Sequence, residues 1–146
     1  MVGEGPSPSD RKRLQDIVVA RGATDYVFLP GRVSHKEATK LGGAVDFGLS
    51  YFPDLPLFKQ NSPTKVMEYL GQGLPTICTP QPEHEYAISI CEGGIVSTGY
   101  GADAIAEAIL QALGKSWDRK RIREDFLAVR SYDALATQLE KALEDV

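Results

Sequence analysis

Short apolar runs alternate with segments of helical period along nearly the whole chain, and no other feature constrains the fold as much. The runs are "YVFL" at 26–29, "AVDFGLSY" at 44–51, "LPTICT" at 74–79 and "GGIVST" at 93–98. Each is short enough for a strand and is closed by Gly, Pro or polar residues. They read as continuous apolar stretches rather than as an apolar–polar alternation, the pattern of strands buried on both faces. Parallel strands need long crossover connections, and the helical segments between the runs supply them. The expectation is an α/β fold: a Rossmann-like parallel sheet flanked by helices, formed by residues 1–146 as a single domain.

The helical segments have legible ends. A helix is expected over Pro8–Arg21, with Leu14, Ile17 and Val18 on one face and Gly22 as its stop. "SHKE" at 34–37 has capping-box form, Ser34 at the N-cap and Glu37 three residues on, and opens a short helix ending near Gly42 and Gly43. Further helices are expected at 63–72 and 82–90. Another is carried by Ile105, Ala108, Ile109, Ala112 and Leu113, with Gly114 as its stop. Two more fit 118–130 and 133–145, the last with Leu135, Leu139, Ala142 and Leu143 inward. "FPDLPLFKQN" reads as a surface loop, and Val2 before "GEGPSP" reads as the end of a strand.

Composition narrows the functional classes. Hydrophobic residues make up 42% and charged residues 25%, enough apolar material for a core. The net charge of −4 argues against general nucleic-acid binding. Two basic runs, "RKR" at 11–13 and "RKRIR" at 119–123, suit a solvated helix face or contact with an anionic membrane surface. Cys78 and Cys91 form no C-x-x-C pair and have no histidine cluster beside them, so they read as packed, reduced thiols rather than zinc ligands. No stretch reaches the roughly 18 apolar residues of a spanning helix, and "MVGEGPSPSD" lacks the pattern of a secretory signal. A cytoplasmic location is the expectation.

One segment concentrates polar chemistry at a helix start: "NSPTKVMEYLGQGLP", residues 61–75. Ser62 suits the N-cap and Pro63 the first helical position, where its missing N–H is no loss. The amides of Thr64 and Lys65 then lack intrahelical partners, at the end of the helix that carries about half a positive charge. That is a seat for phosphate. Thr64 and Glu68 are four residues apart and share one face, while Val66, Met67 and Leu70 can face the sheet. A phosphate on the amides and a sugar diol on Glu68 would suit a nucleotide lying across the helix start. Ser-Pro also opens purely structural helices, and a glutamate in the first two turns favours the dipole on its own account. In open parallel sheets ligands sit beyond the carboxyl ends of the strands, and "GEGP" at 3–6, "PGRVS" at 30–34 and the loop 51–62 have that position. Gly3-x-Gly5 is not a dinucleotide fingerprint, because the third glycine is absent.

Taken in order, "VGEGP", "DYVFLPGRVSHKEATKL", "AVDFGLSYFP", "SPTKVMEYLGQGLPTICTP" and "ADAIAEAILQAL" resemble the C-terminal, donor-nucleotide half of a GT-B-fold glycosyltransferase. The resemblance is to the large retaining family four and covers nearly the whole chain. Its most specific part is "PTKVMEYLGQGLP", similar to that family's P-x-K-x-x-E-Y/F-x-x-x-G-x-P block, and "SYDALATQLEKAL" is similar to its last helix. The resemblance implies that Glu68 hydrogen-bonds the ribose hydroxyls and that Ser62, Thr64 and Lys65 lie where the donor diphosphate is received. It also implies that the backbone at Arg32 and Val33 reads the base edge, and that Gly3 and Gly5 let the nucleotide approach. The family often has a second glutamate, eight positions before the first, against the donor sugar; here that position is Gln60, which can hydrogen-bond a sugar but brings no charge.

The resemblance further implies a longer enzyme. A whole donor domain would begin with another strand, loop and helix, and an N-terminal acceptor domain would complete the protein. The partners implied are a nucleotide-diphosphate sugar as donor substrate and a saccharide or lipid-linked acceptor held by the other domain, with peripheral association of the parent at the inner face of a membrane. No cofactor, metal or nucleic acid is implied, and no residue here is assigned to catalysis. A nucleotide-sugar epimerase would share the fold, but it would carry a Ser-Gly-Gly and paired glutamates at the helix start, which this chain lacks. A non-catalytic α/β interaction module is the other reading, and it leaves the polar cluster at 62–68 without a role. His35 and His84 read as ordinary helix-start histidines.

Overall fold

A computed structural model describes residues 7–144. Gly3, Gly5 and the strand end expected at Val2 lie outside the described residues. The chain divides into two compact units, Met1–Leu41 and Gly42–Val146.

In the first unit, helix α1 (Pro8–Ala20) begins with a capping box. The Ser7 amide donates to Asp10 Oδ2 at 2.9 Å, and the Ser9 amide donates back to Ser7 Oγ at 3.3 Å. It ends as expected: Arg21 caps it and Gly22 follows with φ +62°. The strand expected at 26–29 does not form. The amides of Tyr26 and Val27 both donate to the Ala23 carbonyl, winding the run into a turn, and Tyr26 and Phe28 are largely exposed. Among the described residues no strand pairs with this run, so nothing there holds it extended. The capping box at Ser34 is present as read: Glu37 N–H donates to Ser34 Oγ, and both Ser34 N–H and Oγ–H donate to Glu37 Oε2. These bonds to the carboxylate hold the Glu37 carboxyl below its usual range. Helix α2 (His35–Ala44) follows; it passes Gly42 and Gly43 without stopping, which shortens the strand expected from residue 44.

The second unit holds a three-stranded parallel sheet in the order β1 (Gly48–Ser50), β2 (Thr76–Cys78), β3 (Gly94–Val96). The register pairs Leu49 with Ile77 and Ile77 with Ile95. A 3₁₀ turn (Pro56–Gln60) interrupts the loop after β1, and α3 (Thr64–Gly71) and α4 (Pro82–Cys91) are the crossovers. Helices α5 (Ala102–Leu113), α6 (Arg119–Arg130) and α7 (Tyr132–Glu144) complete the chain.

Both faces of the sheet are covered, by different helices. Cys78 packs with Val66 and Leu70 of α3, Ala87 of α4, and Ile122 and Phe126 of α6. Ile77 and Ile95 point the other way, onto Ala108 and Ala112 of α5. This is the doubly covered parallel sheet that continuous apolar strands require. Burial pushes the Cys78 thiol up to about 12 and raises Cys91 as well, so both free cysteines stay protonated and inert. The inward stripe expected on α7 is not found: Leu135, Leu139, Ala142 and Leu143 remain exposed, because α7 packs against α6 and nothing among the described residues covers its other side. No helix among the described residues is long and apolar enough to cross a membrane.

The basic run at 119–123 is committed to the fold. Arg119 donates to the carbonyls of Gly42 and Val45, at the end of α2, and Arg123 donates to the Gly71 carbonyl, at the end of α3. Cations at helix C-termini satisfy orphan carbonyls and oppose the negative end of the dipole. Arg121 pairs with Asp125 and Glu92, and Lys120 with Glu124.

Candidate functional site

Helix α3 leaves the amino end of the sheet to the four residues before β2, so its own start lies toward the carboxyl end, where ligands of open parallel sheets sit. The start differs by one residue from the sequence expectation. Pro63 is the N-cap and Thr64 the first helical residue; Ser62 makes no capping bond and is exposed. Proline has no side-chain acceptor, so the cap leaves the helix start open. The Met67 amide donates to the Pro63 carbonyl, so the amides of residues 64–66 precede the first intrahelical bond and no side chain caps them.

The block 63–75 separates into two groups of residues. Val66 and Leu70 are wholly buried in the core, and Leu74 and Pro75 are buried beside them. Gly73 adopts φ +70°, and the Arg119 carbonyl occupies the place a side chain would take, so only glycine fits there. The Tyr69 ring lies where a Cβ on Gly48 would be. These residues answer to the fold. Thr64, Lys65 and Glu68 do not: all three are exposed, and their side chains make no hydrogen bond or ion pair with the described residues. Thr64 and Lys65 belong to the first turn with the uncapped amides, and Glu68 follows one turn later.

A buried polar web lies at the carboxyl ends of β1 and β2, and its centre, His84, was read from sequence as an ordinary helix residue. His84 is completely buried. Its Nδ1 is 2.7 Å from the Thr79 carbonyl, which can only accept, so Nδ1 carries the proton. Burial pulls the imidazole below its ordinary value, so the ring is neutral near pH 7 and Nε2 accepts from Ser50 Oγ at 3.1 Å. Thr79 Oγ1 accepts from the Phe52 amide and donates to the Phe52 carbonyl, both at 3.0 Å. Gln81 donates to the Pro53 carbonyl and to the Tyr100 hydroxyl, which itself donates to the Pro80 carbonyl at 2.5 Å.

Of the remaining sequence candidates, Gln60 ends the 3₁₀ turn, exposed, and its side chain has no hydrogen-bond partner among the described residues. Arg32 is exposed and Val33 half-buried, in the first unit, between Gly31 at φ +81° and the α2 cap. Glu83, at the start of α4, pairs with Arg130 at 3.6 Å. No three His, Cys, Asp or Glu among the described residues are placed to hold a metal. A cavity of about 540 Å³ lies at the opposite end of the sheet, lined by Glu92, Gly94, Lys115, Trp117, Asp118 and Arg121. Its charges are engaged: Arg121 with Glu92, and Lys115 over the Trp117 ring at 5.6 Å.

No protein-family model and no curated protein matches the chain. Among solved structures it is similar to sucrose-phosphate synthase from Thermosynechococcus elongatus, with a TM-score of 0.72 and 21% identity. The match covers 99% of this chain and 37% of the synthase, so the chain spans little more than a third of that protein's length. At that identity the likeness defines the fold alone: an α/β, GT-B-like fold with a parallel sheet between helices.

Proposed function

We propose that this chain is the donor-nucleotide part of a retaining, family-four-like glycosyltransferase, and that α3 receives a nucleotide-diphosphate sugar. The observation that carries the reading is the start of α3, where uncapped amides lie beside the exposed side chains of Thr64 and Lys65, with Glu68 one turn further on, and none of the three has a partner among the described residues. The amides and the Lys65 ammonium favour a diphosphate, and they stabilise the charge that grows on it as the glycosidic bond breaks. Glu68 lies about 6 Å further along the helix axis and accepts from the ribose hydroxyls. Gln60 and Ser62 approach the sugar and the diphosphate from the preceding segment, Arg32 and Val33 read the base, and Gly3 and Gly5 let the nucleotide approach.

In the parent enzyme a second domain brings a saccharide or lipid-linked acceptor to the donor's anomeric carbon, so the rate comes from placement and from stabilising the leaving diphosphate. The parent works in the cytoplasm, at the inner face of a membrane where its acceptor is lipid-linked. On this reading the acceptor site belongs to that second domain, and the chain on its own is expected to transfer no sugar. Calorimetric titration with UDP, GDP and ADP tests the reading. One nucleotide is expected to bind selectively, and Glu68→Ala to weaken it by about tenfold or more. Equal binding by the variant, or no binding of any nucleotide, contradicts the assignment.

A further inference from the structure

We infer that His84 is a positioning residue: it clasps segment 51–60 to the carboxyl end of the sheet and so fixes the point from which α3 begins. The effect on the helix start rests on the donor-site reading; the clasp itself does not.

The segment has few other tethers. Among the described residues, its bonds beyond position 53 stay within it or pass to the next residue: Leu55 N–H to the Pro53 carbonyl, Phe58 N–H to Leu55, Asn61 N–H to Phe58, and Lys59 with Asp54. Its hydrogen bonds to the rest of the fold run through Phe52 and Pro53, to Thr79 and Gln81. The aromatic contacts have the same origin. His84 stacks on Phe52 at 5.5 Å and 22°, and Phe52 stacks on Phe58 of the 3₁₀ turn at 5.0 Å and 24°. The imidazole therefore joins four elements: the end of β1 through Ser50, the end of β2 through Thr79, the loop through Phe52, and its own helix α4.

A neutral imidazole suits this place because it donates at one edge, accepts at the other and presents an apolar face between them. The Ser50–His84 pair is not a nucleophile and base, because Ser50 is only 4% exposed and no substrate reaches it. Three residues separate the 3₁₀ turn from α3, too few to absorb a displaced loop without moving the uncapped amides.

The test combines amide hydrogen exchange with nucleotide titration on the wild-type chain, His84→Ala, His84→Phe and Glu68→Ala. His84→Ala is expected to speed exchange at 52–60 by about tenfold or more while the β2 amides at 76–78 keep their protection. Its nucleotide dissociation constant is expected to rise roughly threefold to tenfold. His84→Phe keeps the stack and loses both ring bonds, so it should loosen the segment less. Glu68→Ala should weaken binding with exchange at 52–60 unchanged, separating contact from positioning. Wild-type exchange rates at 52–60 in both His84 variants would overturn the clasp. A loosened segment with unchanged nucleotide affinity would overturn the positioning role. Should His84→Ala lose protection throughout, His84→Phe and Ser50→Ala decide by the same local readout. If the wild-type chain binds no nucleotide, the donor-site reading fails, and exchange alone still decides the clasp.

Discussion

The two ends of the sheet differ in a way that volume does not reveal. At the amino end a cavity of about 540 Å³ holds Trp117, Lys115, Arg121 and Glu92, and those charged groups already have partners. At the carboxyl end the start of α3 is open, and Thr64, Lys65 and Glu68 have no partner among the described residues. A group whose interactions are satisfied within the fold gives up as much as it gains by meeting a ligand. The amino end therefore reads as a structural seam between α4, β3 and α6, and the carboxyl end as the place with chemistry to offer.

This contrast makes opposite predictions for the two ends. The largest effect on stability is expected at the seam. Trp117 donates to the Ala112 carbonyl at 2.9 Å and meets Phe47 edge to face, so Trp117→Ala should destabilise the fold by about 2–4 kcal/mol. Denaturant unfolding measures that loss, and nucleotide affinity at temperatures where the variant is folded should be unchanged. Glu68→Ala should do the reverse, with affinity lost in calorimetry and the thermal midpoint essentially where it was. A third, smaller effect is expected with acid. The native His84 pKa lies below its ordinary value near 6.5, so between the two values the unfolded chain binds more protons than the native one. The stability from neutral His84 is thus fully present above about pH 6.5 and is lost as pH falls through the lowered native pKa. Unfolding midpoints across that range should show the slope in wild type and a shallower one in His84→Phe. The smallest effect belongs to Arg121→Ala, which removes exposed ion pairs to Glu92 and Asp125 and should cost under about 1 kcal/mol.

The legible parts of the sequence were those governed by local rules. The capping box at Ser34, the stops at Gly22 and Gly114, and the parallel sheet covered on both faces all follow from neighbouring residues and period. The polar cluster at 64–68 was visible for the same reason, and only its cap moved, from Ser62 to Pro63. What depends on distant partners was not legible. Among the described residues, the run at 26–29 has strand composition but no strand to pair with, and the apolar stripe of α7 has helical period but no cover. His84 is the clearest case, because one of its partners, Ser50, lies 34 positions away and nothing local marks the pairing. Its one sequence signal is a histidine two residues past a proline that itself follows a strand end. The role of the basic run at 119–123 was likewise fixed by carbonyls some 50 to 77 positions away.

The contrast between the two ends is tested most directly by amide chemical-shift mapping on the isotope-labelled chain, with whichever of UDP, GDP or ADP binds. The account predicts saturable shifts at Thr64, Lys65, Val66 and Glu68, with the amides from Lys115 to Arg121 undisturbed. Shifts that gather around Trp117 and leave the start of α3 unmoved would contradict it.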